Sequence, residues 1–182
     1  FATALELGID PDLVIKAAST LPAVPGRLER MHNHAPFMVF IDYAHTPDAM
    51  ETVLETLSEA YPDQQLITVF GCAGDRDPGK RIPMAQITEK NSTIAIATSD
   101  NPRTENPQLI IDEVISGFNN TETSIGIVDR TEAIKYAVDI AYAGDIIVVA
   151  GKGDEDYQEI NNIKHHFDDR EVLAELLQEK KI

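Results

Sequence analysis

The sequence has one cysteine, Cys72, so no disulfide can form within the chain. Basic residues are also scarce: 15 Lys and Arg stand against 31 Asp and Glu, a formal charge of −16. That surplus repels phosphate backbones and anionic lipid, which argues against nucleic acid and membrane as partners and fits an acidic cytoplasmic protein. Long hydrophobic runs are missing too, and none approaches the roughly 18 residues that suggest a membrane span. Phe1 to Asp10 has neither a basic start nor a long apolar centre, so it does not read as a signal peptide. There is no initiator methionine while Ala2 to Leu7 already looks helical, and the expectation is a chain that begins inside a longer protein.

What is present is enough to build a core. A 43% hydrophobic content over 182 residues suits one compact domain with a little to spare. Short runs rich in Val and Ile alternate with helix-like segments, the mark of a mostly parallel sheet covered by helices. The expected strands are Phe37–Asp42, Gln65–Gly71, Ser92–Thr98, Ser124–Val128 and Asp145–Ala150. Met50, Val53, Leu54 and Leu57 follow the spacing of one buried helix face, and Ile134, Ala137, Val138 and Ala141 repeat it. Thr46-Pro47 and Asn106-Pro107 each place a capping side chain before a proline suited to the first helical position, so helices should start there and run to about Ala60 and Phe118. A last helix near Arg170–Glu179 can be capped by Asp169, and polar Gln158–His166 reads as a short irregular or hairpin segment. The fold class is therefore α/β and Rossmann-like, with about six mostly parallel strands and helices on both faces. Pro11–Thr20 reads as a separate helix, followed by a proline-rich connector at Leu21–Gly26 that divides residues 1–23 from a domain over 24–182.

In open parallel sheets ligands bind outside the carboxyl ends of the strands. Four loops there are unusual: Asp42-Tyr-Ala-His45-Thr-Pro, Gly71 to Arg81, Ser99-Asp-Asn-Pro-Arg103 and Gly151 to Gln158. They should gather Asp42, His45, Arg76, Asn101, Arg103 and Glu155 along one edge. Gly74 to Lys80 nearly spells a phosphate loop, but Arg81 replaces the magnesium-binding Ser or Thr, Asp75 and Asp77 bring negative charge, and Pro78 lacks an N–H. Gly151-Lys-Gly153 starts like a dinucleotide fingerprint, yet Asp156 stands at the third glycine position and the turn follows the last strand. Taken singly, His45 could cap a strand, Arg76 and Arg103 could be solvated partners of local acids, Asp42 and Glu155 solvated ends, and Gly151 and Gly153 turn formers. Two arginines, an amide and a glycine turn on successive strand ends point instead to a cationic pocket, and a guanidinium fork suits an amino-acid or peptide carboxylate.

Pro25-Gly-Arg-Leu-Glu29, Ile41 to Ala49, Gly74-Asp-Arg-Asp77 with Gly79-Lys-Arg81, Ser99 to Glu105, Asp129-Arg130 and Ala150-Gly-Lys-Gly153 with Glu155-Asp-Tyr-Gln158 resemble, in order, the C-terminal domain of the MurE family of Mur ligases. The resemblance runs from about Val24 to Gln158, and the first two dozen residues look like the final helix of that family's central ATPase domain. It implies a reaction in peptidoglycan synthesis: ATP phosphorylates the D-glutamate carboxylate of UDP-MurNAc-L-Ala-D-Glu, and the incoming amine attacks the acyl phosphate. The phosphate loop and Mg2+ ligands lie in the central domain and the nucleotide-sugar site in the N-terminal one, so no catalytic residue and no metal site is expected in this stretch, which should be inactive alone. By the same resemblance Arg27, Asp42 and His45 close over the nucleotide, while Arg76, Asn101, Arg103, Gly151 and Glu155 hold the incoming amino acid. The Asp-Asn-Pro-Arg form of the loop is the one associated with meso-diaminopimelate, whose distal carboxylate can pair with Arg103 and distal ammonium with Glu155; L-lysine offers Arg103 no carboxylate. Asp154 replaces a usual histidine and Ala73 a usual glycine, and Asp154 keeps an L-lysine enzyme as the alternative. Folylpolyglutamate or cyanophycin synthetases share the architecture but are not expected to share both Ser99–Arg103 and Gly151–Gln158, while a non-catalytic amino-acid-binding module that kept the fold is a second alternative, which a phosphate loop encoded upstream of Phe1 would exclude.

Overall fold

The computed structural model describes residues 2–32 and 34–179. One sheet is built from β1 (Glu29–Arg30), β2 (Met38–Asp42), β3 (Leu66–Cys72), β4 (Ile94–Ser99), β5 (Ser124–Gly126) and β6 (Ile146–Ala150). Their order across the sheet is β1-β2-β6-β3-β4-β5, and every pair is parallel except β1, which runs antiparallel to β2 at the edge. This is the mostly parallel α/β architecture that the alternation of the sequence implies.

The inner strands are buried along nearly their whole length, and mostly apolar, because helices cover both faces. On one side Ile146, Val148 and Ala150 of β6 meet Met50, Leu54 and Leu57 of α3 (Pro47–Ala60), Met84 and Ala85 of α4 (Arg81–Asn91), and Ile110 and Val114 of α5 (Pro107–Ile115). On the other, Ile147 and Val149 meet Ala133, Ile134, Ala137 and Val138 of α6 (Arg130–Ile140) and Leu173 and Leu177 of α7 (Asp169–Glu179). Each fully buried Leu, Ile or Met contributes about 1.5–3 kcal/mol relative to exposure, so Leu54→Ala in this layer should cost about 2–5 kcal/mol. The caps at Thr46 and Asn106 form as expected, accepting from Ala49 N and Gln108 N at 3.4 and 2.9 Å.

Two local readings need correction, and one helix was not read from the sequence. That helix, α4, shows no apolar stripe because its buried face is Arg81, Met84, Ala85 and Thr88, half of it polar. The cap of α7 is Asp168, whose Oδ1 accepts from Arg170 N at 2.8 Å, while Asp169 lies inside the helix and is turned to Arg130. The β5 strand ends at Gly126, although Ile127 N still reaches Ala97 O at 2.9 Å and Val128 O accepts from Ser99 N at 3.3 Å.

The polar segment before α7 is a hairpin of β7 (Tyr157–Ile160) and β8 (Ile163–His166). Its two-residue turn, Asn161-Asn162, has φ of 50° and 62°, the mirror-image turn that matches strand twist and that asparagine tolerates. At the other end of the chain, α1 (Ala2–Glu6) and α2 (Pro11–Ala18) bury no residue, and Leu5, Leu7, Ile9, Leu13 and Ile15 are exposed.

Candidate functional site

Four strands, β2, β3, β4 and β6, end on the same edge of the sheet, and their loops build the site. After β2 the chain turns so that the Asp42 carboxylate points inward, accepting from Leu28 N and Ala44 N at 2.7 Å each. Asp42 therefore pins the Gly26–Leu28 turn and does not line the cavity with the other residues expected there. Arg27 is outside the lining too, with its guanidinium 4.2 Å above the Tyr43 ring. His45 does face the cavity. Its Nδ1 lies 2.8 Å from Tyr43 O, a contact that needs the proton on Nδ1 and leaves Nε2 as the other polar atom.

The loop after β3 uses its own polar groups. Asp77 accepts from Gly79 N at 2.9 Å, a 3-10 turn spans Pro78–Lys80, and Lys80 Nζ donates to His45 O at 2.8 Å. The amide and the lysine that a phosphate loop would turn towards a triphosphate are thus engaged within the chain. Among the described residues no group of three His, Cys, Asp or Glu side chains could hold a metal ion. These residues do not fit a magnesium triphosphate. Arg76, on the same loop, is exposed at the cavity rim.

The loop after β4 is clamped by the hairpin. Arg103 has φ of 51°, a left-handed backbone that a bulky residue adopts only when its surroundings hold it. Here Arg103 N donates to Glu159 O at 2.9 Å and Arg103 O accepts from Asn161 N at 2.7 Å. Its side chain donates from Nη1 to Gly74 O at 2.7 Å and from Nε to Glu159 at 3.2 Å, so each edge of the fork has one donor engaged and Nη2 is left over. Asn101 Oδ1 accepts from Glu159 N at 2.9 Å, its Nδ2 donates to Glu155 at 3.0 Å, and Gln158 Nε2 donates to Asp100 O at 2.7 Å.

The loop after β6 closes the floor. Gly151 has φ of 112° and donates to Asp42 O at 3.0 Å; a Cβ there would meet only ordinary contacts, so backbone conformation is the reason for glycine. Between Gly151 and Gly153 sits Lys152, wholly buried, its ammonium 3.3 Å from Glu155 Oε2 and donating to Tyr157 O.

The result is a cavity of about 560 Å³ carrying both signs of charge. Arg76, Lys80 and Arg103 line it with Asp77, Asp100 and Glu155, and Tyr43 and Tyr157 supply aromatic surface. Of the residues singled out from sequence, it brings together His45, Arg76, Asn101, Arg103, Gly151 and Glu155. Sequence reading missed Lys152, Asp100 and Tyr157. Asp100 lies directly between a strand end and a selected residue, which could have flagged it, whereas nothing in the sequence marks Lys152 as buried. Asp154 is exposed and does not line the cavity; Ala73 does.

Comparison with known proteins gives a consistent picture. Residues 26–153 match the family model described as "Mur ligase, glutamate ligase domain". Relatives named UDP-N-acetylmuramoyl-L-alanyl-D-glutamate–2,6-diaminopimelate ligase include one from Syntrophomonas wolfei, 48% identical over 97% of this chain and 36% of its own length. Another, from Listeria monocytogenes, is 45% identical over 100% of this chain and 36% of its own length. The chain thus spans little more than a third of the curated relatives it matches. A solved structure of a protein with the same name superposes with a TM-score of 0.80 at 40% identity, covering 98% of this chain and 37% of the other. Folylpolyglutamate synthase from Thermotoga maritima, at 20% identity and a TM-score of 0.58 over 79% of this chain and 31% of its own, shares the fold.

Proposed function

We propose that this chain, which belongs to the Mur ligase glutamate-ligase-domain family, is the amino-acid-accepting part of an ATP-dependent ligase that adds meso-diaminopimelate to UDP-MurNAc-L-Ala-D-Glu. The observation that carries this reading is the two-signed cavity, in which Arg103 and Glu155 line one space. A substrate ending in a carboxylate beside an ammonium complements both, with the carboxylate on Nη2 of Arg103 and the ammonium on Glu155. Arg76, Asn101 and the Gly151 turn complete the wall.

Within the reaction this domain binds and orients. ATP and Mg2+ supply the phosphorylation of the D-glutamate carboxylate from the central domain. The residues of this chain hold the attacking amine in line with the acyl phosphate and exclude water, so peptide transfer outruns hydrolysis. Arg27 and His45 act at the nucleotide when the domain closes, and Asp42 acts by holding the turn that carries Arg27. Residues 1–23 are the end of the central domain, and within that stretch the described residues, 2–23, include no buried one. On this reading the protein works in the cytoplasm, and the 182-residue chain alone turns over no ATP. L-Lysine loses its main support, because Asp154 lies outside the cavity lining.

The test is a ligation assay on the full-length protein with ATP, the nucleotide dipeptide, and meso-diaminopimelate in competition with L-lysine. Preferential use of diaminopimelate is expected; preference for L-lysine, or ligation of neither, sinks the reading.

A further inference from the structure

Burying a lysine is costly, and a wholly buried one needs partners that offset the loss of water. Lys152 has 0% exposure, although it sits on a loop at the edge of a cavity. The positive φ of both flanking glycines, 112° at Gly151 and 55° at Gly153, bends the chain around it. Its ammonium donates to Tyr157 O and lies 3.3 Å from Glu155 Oε2, with Asp100 Oδ1 at 3.8 Å. Asp100 is 5% exposed, and its Oδ1 has no hydrogen-bond partner. Two carboxylates thus face one buried ammonium at the cavity wall, and the other buried cation within electrostatic reach of both, Arg130, is already paired with Asp169, so the group carries one more negative than positive charge. Glu155 receives a second donor, Asn101 Nδ2 at 3.0 Å, so its carboxylate is held from two directions.

We propose that Lys152 is a positioning residue for recognition of the substrate's distal ammonium: from its buried site it fixes the Glu155 carboxylate in the cavity wall and leaves the cluster with one negative charge in excess. The inference rests on the diaminopimelate reading above and deepens it. With Lys152 in place the cluster accepts one ammonium and no more. Without it, Glu155 keeps only Asn101 Nδ2 as a donor, and two acids left without the buried ammonium no longer present one oriented acceptor.

The experiment uses the full-length ligase and two substrates, meso-diaminopimelate and L-2-aminopimelate, which keeps the distal carboxylate and lacks the distal ammonium. The wild type should prefer the diamino acid. In Lys152→Met, which fills the same volume without charge, that preference in kcat/KM should fall by about tenfold or more, while the KM values for ATP and nucleotide dipeptide stay within about twofold. Lys152→Gln, whose amide can still donate a hydrogen bond, should show the same loss if charge is what matters. A preference retained in either variant overturns the proposal, as does equal loss on both substrates or failure of both variants to fold, since each makes Lys152 merely structural. A wild type that does not use diaminopimelate at all would instead defeat the underlying substrate assignment.

Discussion

Arg130 and Asp169 meet with neither side chain exposed, joined by two parallel hydrogen bonds, Nε to Oδ1 at 2.7 Å and Nη2 to Oδ2 at 2.8 Å. Arg130 opens α6, Asp169 lies in the first turn of α7, and the guanidinium also donates to Ser99 O and Ala150 O at 3.3 and 3.0 Å. The pair ties two helices to the ends of two site-bearing strands.

Asp169→Asn keeps the shape and removes the countercharge, leaving a buried unpaired guanidinium. The expected loss is about 3–5 kcal/mol, read as a drop in the urea midpoint of the 182-residue chain. A loss below about 1 kcal/mol would mean that the two carbonyls suffice to hold Arg130.

Gly26 and Gly153 pack back to back, and a Cβ on Gly26, at φ 65°, would lie 2.2 Å from Asp154 N. Gly26→Ala should therefore cost at least about 2–3 kcal/mol and disturb the loop carrying Glu155. Gly8→Ala is the control, because Gly8 has φ of 73° but nothing within 4 Å, and backbone strain alone should cost about 1–2 kcal/mol. Equal losses at both positions, measured by thermal unfolding, would remove the clash from the explanation.

Glu105 accepts from the buried Arg81 at 2.8 and 2.9 Å and from Asp75 N at 2.6 Å. The Arg81 hydrogen bond, then the Asp75 amide, hold its carboxyl below the usual glutamate range. A depressed folded value means stability that is present above the unfolded value of about 4.3 and lost as pH falls through the folded one. Because Glu105 is a third exposed, Glu105→Gln should cost only about 1–2 kcal/mol at pH 7. The gap between variant and wild type should close on acidification; a gap constant from neutral to acid pH would assign the effect to packing.

Arg103→Ala removes the carboxylate partner proposed for diaminopimelate. The expected fall in kcat/KM for that substrate is roughly 30-fold to several thousand-fold, from a charge-assisted contact of about 2–5 kcal/mol, with ATP parameters nearly unchanged. Arg103→Lys should recover only part, since Nη1 is already spent on Gly74 O and a point charge cannot serve both sites. Wild-type kcat/KM in Arg103→Ala would defeat the pocket assignment.

Much of this protein was legible along the chain because the signals are local. Val and Ile runs, the apolar spacing from Met50 to Leu57, and the Thr46-Pro47 and Asn106-Pro107 caps depend on nearest neighbours and the period of one helix or strand, so the sheet, most helices and the site-bearing loops could be read directly. The α4 helix escaped because Arg81 and Thr88 occupy its buried face, a choice that makes sense only once Glu105 and Glu113 are known to reach Arg81 at 2.8 Å. The site divides the same way. Glycines, arginines and an amide after strand ends mark where a ligand sits, but which way each side chain turns is decided by partners far away in sequence. Asp42 turns inward to the amide of Leu28, Asp169 takes Arg130 in place of capping its own helix, and Lys152 disappears beneath Glu155 and Tyr157. Composition and spacing determined the sheet and the edge where chemistry sits; the direction of each charge was decided only by tertiary contacts, because a buried charge takes whichever countercharge or carbonyl the fold brings within reach.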